Sequence, residues 1–173
     1  MLTTREWETV LGGPVRVPDP DLLVHLQFRR FAGCPVCNLH LRSVVRRHAE
    51  IEARGIREVV VFHSTAEELR PHVADLPFAV VGDPGKVLYV EFGVESSPRS
   101  VLDPRAWGSI ARGLARDLGP VLLGRRPLPR PTGGRLGLPA DFLIAPDGRV
   151  IAEKRGEHAD DQWSVDELLR LAG

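Results

Sequence analysis

Apolar residues in this chain fall in short blocks whose period switches between that of a strand and that of a helix. Leu22-Leu23-Val24-His25-Leu26-Gln27-Phe28 reads as a largely buried strand, and Arg29-Arg30-Phe31-Ala32-Gly33 carries it into a turn. Leu39, Leu41, Val44, Val45, His48 and Ile51 then form a stripe at helical spacing that stops near Gly55. Glu58-Val59-Val60-Val61-Phe62-His63 is rich in β-branched residues and predicts a second strand. Ser64-Thr65-Ala66-Glu67 has the Ser-x-x-Glu form of a capping box and opens a short helix. Strand, helix, strand, helix in this order requires a right-handed crossover between parallel strands, which brings His63 and the turn before Cys34 to one edge of the sheet.

The flanking segments extend the same reading. Val10 to Val17 contains Gly12-Gly13 and predicts a small hairpin ahead of the core strand. Pro77 to Asp83 predicts a further strand, Asp83-Pro84-Gly85 its turn, and Leu88 to Phe92 a helix. Gly93 to Leu138 is less regular. It holds a helix around Trp107 to Leu118 and then a Pro-broken basic loop, Gly119 to Leu138, with Arg125, Arg126, Arg130 and Arg135. Such a loop is a solvated excursion or, alternatively, a lid or a contact for an anionic partner. Asp141 to Ala145 and Arg149 to Glu153 flank Pro146-Asp147-Gly148 and predict an antiparallel hairpin. Ser164-Val165-Asp166-Glu167 is a second capping box and starts the terminal helix.

Bulk composition bounds the function. At 173 residues and 43% hydrophobic content the chain suits one α/β domain over residues 1–173, with the irregular excursion at about 93–138. Lys plus Arg and Asp plus Glu each total 23, so there is no global basic field to hold nucleic acid or an anionic membrane. Met1 to Glu8 carries acids and lacks an apolar run of signal-peptide length, and no later stretch is apolar enough to span a bilayer. The expectation is a soluble, cytoplasmic protein. Its oligomeric state is not readable from the sequence.

The two cysteines, Cys34 and Cys37, stand in a Cys-Pro-Val-Cys motif where the first core strand runs into its helix. Pro35 suits the first helical position, where a missing N–H costs nothing, and places Cys34 at the N-cap. A thiolate there faces unpaired backbone N–H groups and the positive end of the helix dipole, so Cys34 is the expected exposed nucleophile with a lowered pKa. Cys37, one turn further in, is the expected resolving thiol. A zinc site would need a second ligand pair, and the histidines are scattered singly, so no metal is expected. Arg29 and Arg30 are candidates for lowering the Cys34 pKa, or are solvated strand-end charges. His63 is a candidate proton relay at the neighbouring strand end, and His40 a weaker one.

Four segments resemble the thioredoxin-fold superfamily, in particular its peroxiredoxin-like (AhpC/TSA) branch. They are Phe31 to Cys37, Pro77 to Gly85, Leu138 to Val150, and Asp160 to Leu169. The resemblance implies a three-layer fold with a mixed central sheet, helices on both faces and the cysteines exposed at one edge. Two departures bear on activity. The peroxiredoxin loop places a Thr three residues before its cysteine, where this chain has Phe31 before Cys34. An Arg stands just before the strand equivalent to Asp141-Phe142-Leu143-Ile144, where this chain has Pro139. Pro139 resembles instead the cis-proline of thioredoxins, which faces the CxxC and offers neighbouring backbone to a disulfide substrate.

These readings lead first to a thiol-disulfide oxidoreductase that cycles a Cys34–Cys37 dithiol and disulfide. The alternative is a peroxiredoxin-like thiol peroxidase that reduces hydroperoxides as an antioxidant. A further alternative is a non-catalytic thioredoxin-like binding module. The expected partners are a disulfide or hydroperoxide substrate and an external thiol reductant, with no organic cofactor.

Overall fold

The computed structural model describes residues 1–94, 102–123, 132, 134 and 136–173. The N-terminal strands β1 (Arg5–Glu8) and β2 (Pro14–Val17) pair antiparallel across the Gly12-Gly13 turn, as the glycines predict. The core strand β3 (Leu23–Arg29) follows and leads into α1 (Pro35–Arg46) and α2 (His48–Ala53). One continuous helix was predicted here. The break falls at Arg47, whose backbone leaves the helical region at φ −116° and ψ 18°.

Strand β4 (Ile56–Phe62) and helix α3 (Ala66–Val73) come next. The capping box at the start of α3 is formed by Thr65 and Glu68, one residue later than the Ser64 and Glu67 of the sequence reading. The reason is that Ser64 is buried and its hydroxyl instead accepts the Ala32 N–H at 3.0 Å. Strand β5 (Ala79–Gly82) leads into α4 (Val87–Glu91), whose first N–H groups donate to the Asp83 carboxylate. Helix α5 (Pro104–Leu122) is longer at both ends than the helix predicted around Trp107 to Leu118. Strands β6 (Ala140–Ile144) and β7 (Val150–Arg155) and the Ser164-capped helix α6 (Val165–Leu171) complete the described elements. Arg125, Arg126, Arg130 and Arg135 of the basic loop lie outside the described residues.

The five-stranded sheet has the order β5-β4-β3-β6-β7. β3, β4 and β5 run parallel, while β6 pairs antiparallel with both β3 and β7. This is the parallel pair and the hairpin that the alternation and the Pro-Asp-Gly turn predict. One face of β3 presents Val24, Leu26 and Phe28 to a cluster that includes Val59, Val61, Tyr89, Phe92 and Phe142. Phe28 meets Tyr89 and Phe142 edge-on, with ring centroids 4.9 and 5.8 Å apart, the arrangement aromatic quadrupoles favour. Helix α4 and the β1–β2 hairpin cover this face. The opposite face carries α1, α2, α3, α5 and α6, in one cluster around Val44, Ile51, Leu143 and Leu168 and another around Cys34, Cys37, Val60 and Leu69. Sheet and flanking layers thus make a thioredoxin-like three-layer α/β fold. No helix among the described residues is long and apolar enough to cross a membrane.

Candidate active site

The last residue of β3 is Arg29, and Arg30 to Gly33 turn the chain into α1. The turn closes when the Cys34 N–H donates to the Phe31 carbonyl at 3.1 Å. Gly33 has φ +75°, a left-handed conformation that side chains disfavour, so glycine is required there. The His63 N–H donates to the Arg30 carbonyl at 3.1 Å, and the Ala32 bond to Ser64 adds a second tie. These bonds place the redox turn and the end of β4 on one edge of the sheet, as the crossover argument requires. Cys34 occupies the N-cap and Pro35 the first turn, but the Cys34 side chain makes no capping hydrogen bond.

Both cysteines are free thiols, and they are buried to nearly the same degree, with Cys34 1% and Cys37 2% exposed. This corrects the expectation of an exposed Cys34. The cover is α5, which crosses the start of α1 so closely that a Cβ on Gly113 would lie 2.7 Å from the Pro35 Cβ. Ala106 and Ile110 of the same helix pack into the cluster that holds the sulfurs.

Burial also changes the ionisation. Buried and hydrogen-bonded to Cys37, the Cys34 thiol is pushed well above its ordinary value. Burial opposes ionisation of Cys37 too, but the Cys34 hydrogen bond and the Arg30 charge outweigh it and bring Cys37 down to about 7. Arg30 Nη1 lies 3.8 Å from Cys34 Sγ. The two thiols titrate as a coupled pair whose first ionisation falls near neutrality beside Arg30.

Beneath α1 lies a buried polar cluster that the sequence reading did not assemble. Arg29 is fully buried and its Nη2 donates to Asp141 Oδ1 and to Gln27 Oε1, each at 2.6 Å. His25 bridges Glu58 Oε2 at 2.9 Å and Asp141 Oδ1 at 3.2 Å. Burial opposes a charge on His25, but Glu58 and Asp141 raise its pKa to about 9, so it donates from both ring nitrogens at neutral pH. The second Asp141 oxygen accepts the Trp163 N–H at 3.1 Å. Burial alone would raise the Asp141 pKa; the charges of Arg29 and His25 hold it well below the usual carboxylate range. His40 on α1 has Nε2 3.1 Å from Arg29 Nη2 and must accept there; burial and the Arg29 charge keep it neutral. Arg29 is thus no solvated strand-end charge. It makes no hydrogen bond to either sulfur among the described residues and acts on Cys37 through its charge.

The remaining candidates are placed differently from the expectation. His63 is fully buried between Phe31 and Tyr89, and neither ring nitrogen has a hydrogen-bond partner among the described residues. Burial and the nearby Lys86 charge lower its pKa to about 4, so it is neutral, and no hydrogen bond joins it to the sulfurs. The peptide before Pro139 is trans, a correction to the cis form expected. Pro139 stands immediately before β6, where a residue without an N–H is tolerated, and its carbonyl accepts the Gly156 N–H at 2.8 Å. Among the described residues no group of three or more His, Cys, Asp or Glu is arranged to hold a metal ion.

Removing one partner of the buried pair strands the other. Asp141→Asn or Arg29→Met should each lower the unfolding free energy by about 3–5 kcal/mol, and the double variant Arg29→Met/Asp141→Leu should recover part of that loss. Denaturant midpoints measure both. His25 adds a pH dependence: its folded pKa of about 9 lies above the ordinary 6.5, so its stabilisation is complete below 6.5 and is lost as pH rises through 9. In the disulfide form, where the thiols do not titrate, stability should fall across this window. His25→Gln should remove that fall.

Comparison with known proteins follows the same lines. The model of the AhpC/TSA antioxidant enzyme family matches residues 43–158, well over half of the chain, beginning within α1 after the cysteines. No curated protein matches the sequence. Among solved structures, peroxidoxin BcpB from Mycobacterium tuberculosis superposes with a TM-score of 0.68 at 16% identity, covering 99% of this chain and 92% of that one. A protein described as thiol:disulfide interchange protein DsbE from Chlorobium tepidum gives 0.61 at 18% identity, covering 99% and 94%. StoA from Bacillus subtilis gives 0.60 at 15% identity, covering 100% and 98%. At these identities the three share the fold. With the family match running from α1 past the end of β7, on a fold common to a peroxidoxin and an interchange protein, this chain belongs to the AhpC/TSA antioxidant enzyme family.

Proposed function

We propose that the protein is a thiol-disulfide oxidoreductase cycling Cys34 and Cys37 between dithiol and disulfide. The observation that carries this reading is the pair of free thiols buried together in one cluster at the start of α1, with Arg30 Nη1 3.8 Å from Cys34 Sγ. Each thiol shifts the ionisation of the other, and the first ionisation of the pair falls at about 7. Attack falls to Cys34, which lies at the open end of the helix, while Cys37 lies inside it. Cys34 passes its proton to Cys37 and its thiolate displaces one sulfur of the substrate disulfide; the leaving thiolate takes up the proton. Cys37, again a thiolate, attacks the Cys34 sulfur and releases the second substrate thiolate. The substrate gains two electrons and the protein keeps a Cys34–Cys37 disulfide, which an external thiol reductant resets. A cycling pair of this kind suits a reducing cytoplasm and needs no organic cofactor or metal.

The family match favours a second reading, in which Cys34 attacks a hydroperoxide, becomes a sulfenic acid and is captured by Cys37. Phe31 and Pro139 weigh against it, since they stand where the peroxide-orienting Thr and the activating Arg of peroxiredoxins would be.

Cysteine variants separate the two. Cys34→Ser should abolish reduction of an insulin-type disulfide, whereas Cys37→Ser should complete the first step and stall as a mixed disulfide visible by intact mass. Accumulation of sulfenic or overoxidised Cys34 with peroxide, and no mixed disulfide, would favour the peroxidase. Full activity in Cys34→Ser would reverse the assignment of the attacking sulfur.

A further inference from the structure

A groove of about 290 Å³ lies against the redox turn, between α1 and α3, with Ala32 and Gly33 in its wall. Its floor is apolar, built from Leu41, Val45, Phe62, Leu69 and Val73. Its rim carries the guanidinium groups of Arg42 and Arg46 from α1 and Arg116 from α5, against the one lining carboxylate of Asp75. None of these arginines has an ion pair or hydrogen bond among the described residues. Several other surface arginines are matched, as in Arg47 with Glu50 and Asp166, Arg105 with Asp103 and Glu157, and Arg155 with Glu153, while among the described residues Arg70 and Arg170 also lack an ion pair but stand apart from one another. In a chain of zero formal net charge, unmatched cations gathered at one groove beside the reactive turn describe a surface complementary to an anion.

The volume sets the scale of the occupant. Pockets that enclose a whole small-molecule ligand span about 300–1,000 Å³, so this groove suits one or two side chains of a longer segment. Resting on the oxidoreductase reading above, we propose that the groove seats the segment flanking the disulfide of a protein substrate, with an apolar side chain on the floor and Asp or Glu residues on the three arginines. The contact acts before chemistry. It raises the encounter rate and holds the scissile disulfide at the redox turn without touching the reacting sulfurs.

Two synthetic disulfide-bonded peptides with the same apolar residues beside the cysteine, one flanked by Glu and one by Lys, test this. Wild-type protein should reduce the Glu peptide with a kcat/KM about tenfold or more above the Lys peptide, and the preference should shrink as salt rises. The triple variant Arg42→Gln/Arg46→Gln/Arg116→Gln, with its unfolding midpoint checked, should lose the preference while reducing a small neutral disulfide at the wild-type rate. Equal rates for the two peptides with wild type, or a preference that survives the triple variant, would overturn the proposal. So would rapid reduction of a fatty carboxylate hydroperoxide that depends on the same arginines, since the groove would then serve a small amphiphile. Failure to reduce even the small neutral disulfide would instead defeat the oxidoreductase reading on which the proposal rests.

Discussion

The ion pair between Arg29 and Asp141 is the constraint on which the rest of the site depends. A guanidinium with no exposure to water must be matched by charge and hydrogen bonds, and Asp141 on the adjacent strand supplies both at 2.6 Å. The pairing needs β6 in its observed register against β3, with Gln27 opposite Asp141 and Phe28 opposite Ala140. Slipping the register by one residue would turn Asp141 into the aromatic face and Phe142 into the polar cluster. Arg29 is also the last residue of β3, so whatever fixes its side chain fixes the start of the turn that delivers Arg30 and Cys34. Tyr89 completes the anchoring by donating its hydroxyl to the Arg29 and Val61 carbonyls.

The positive charge beside the thiols comes from the end of β3, with Arg30 Nη1 3.8 Å from Cys34 Sγ and the buried Arg29 behind it. Helix α5 covers the pair through the Gly113 contact with Pro35, and it is tied to the segment after β7 by Ser109 with Asp160 and by Arg105 with Glu157. Under this cover Cys34 is almost wholly shielded from solvent.

The topology was legible because its signals are local. Val59-Val60-Val61, the Pro146-Asp147-Gly148 turn, the Ser164 box and Pro35 after Cys34 each act within a few residues, and each lies where its pattern places it. The burial of Cys34 was not legible, since it depends on α5, which is more than seventy positions away in sequence and packs there through Ala106, Ile110 and Gly113. Arg29 was half legible. His25, Gln27 and Arg29 recur at a period of two along a strand whose other face is wholly apolar, and Glu58 sits in a β-branched run. Polar residues in that alternation, on a strand too central to have a wet face, signal a buried network. The neutral His63 had no such signal, because its burial between Phe31 and Tyr89 and the charge of Lys86 come from segments distant in sequence.

The central claim is that the buried dithiol carries a single negative charge near neutrality, held by Arg30 with Arg29 behind it. Titrating the ultraviolet thiolate absorbance of the reduced protein tests it most directly. The account predicts one thiolate per chain appearing at about 7 and the second only in strongly alkaline solution. Two thiolates appearing together near the free-thiol value of about 8.5 would contradict it.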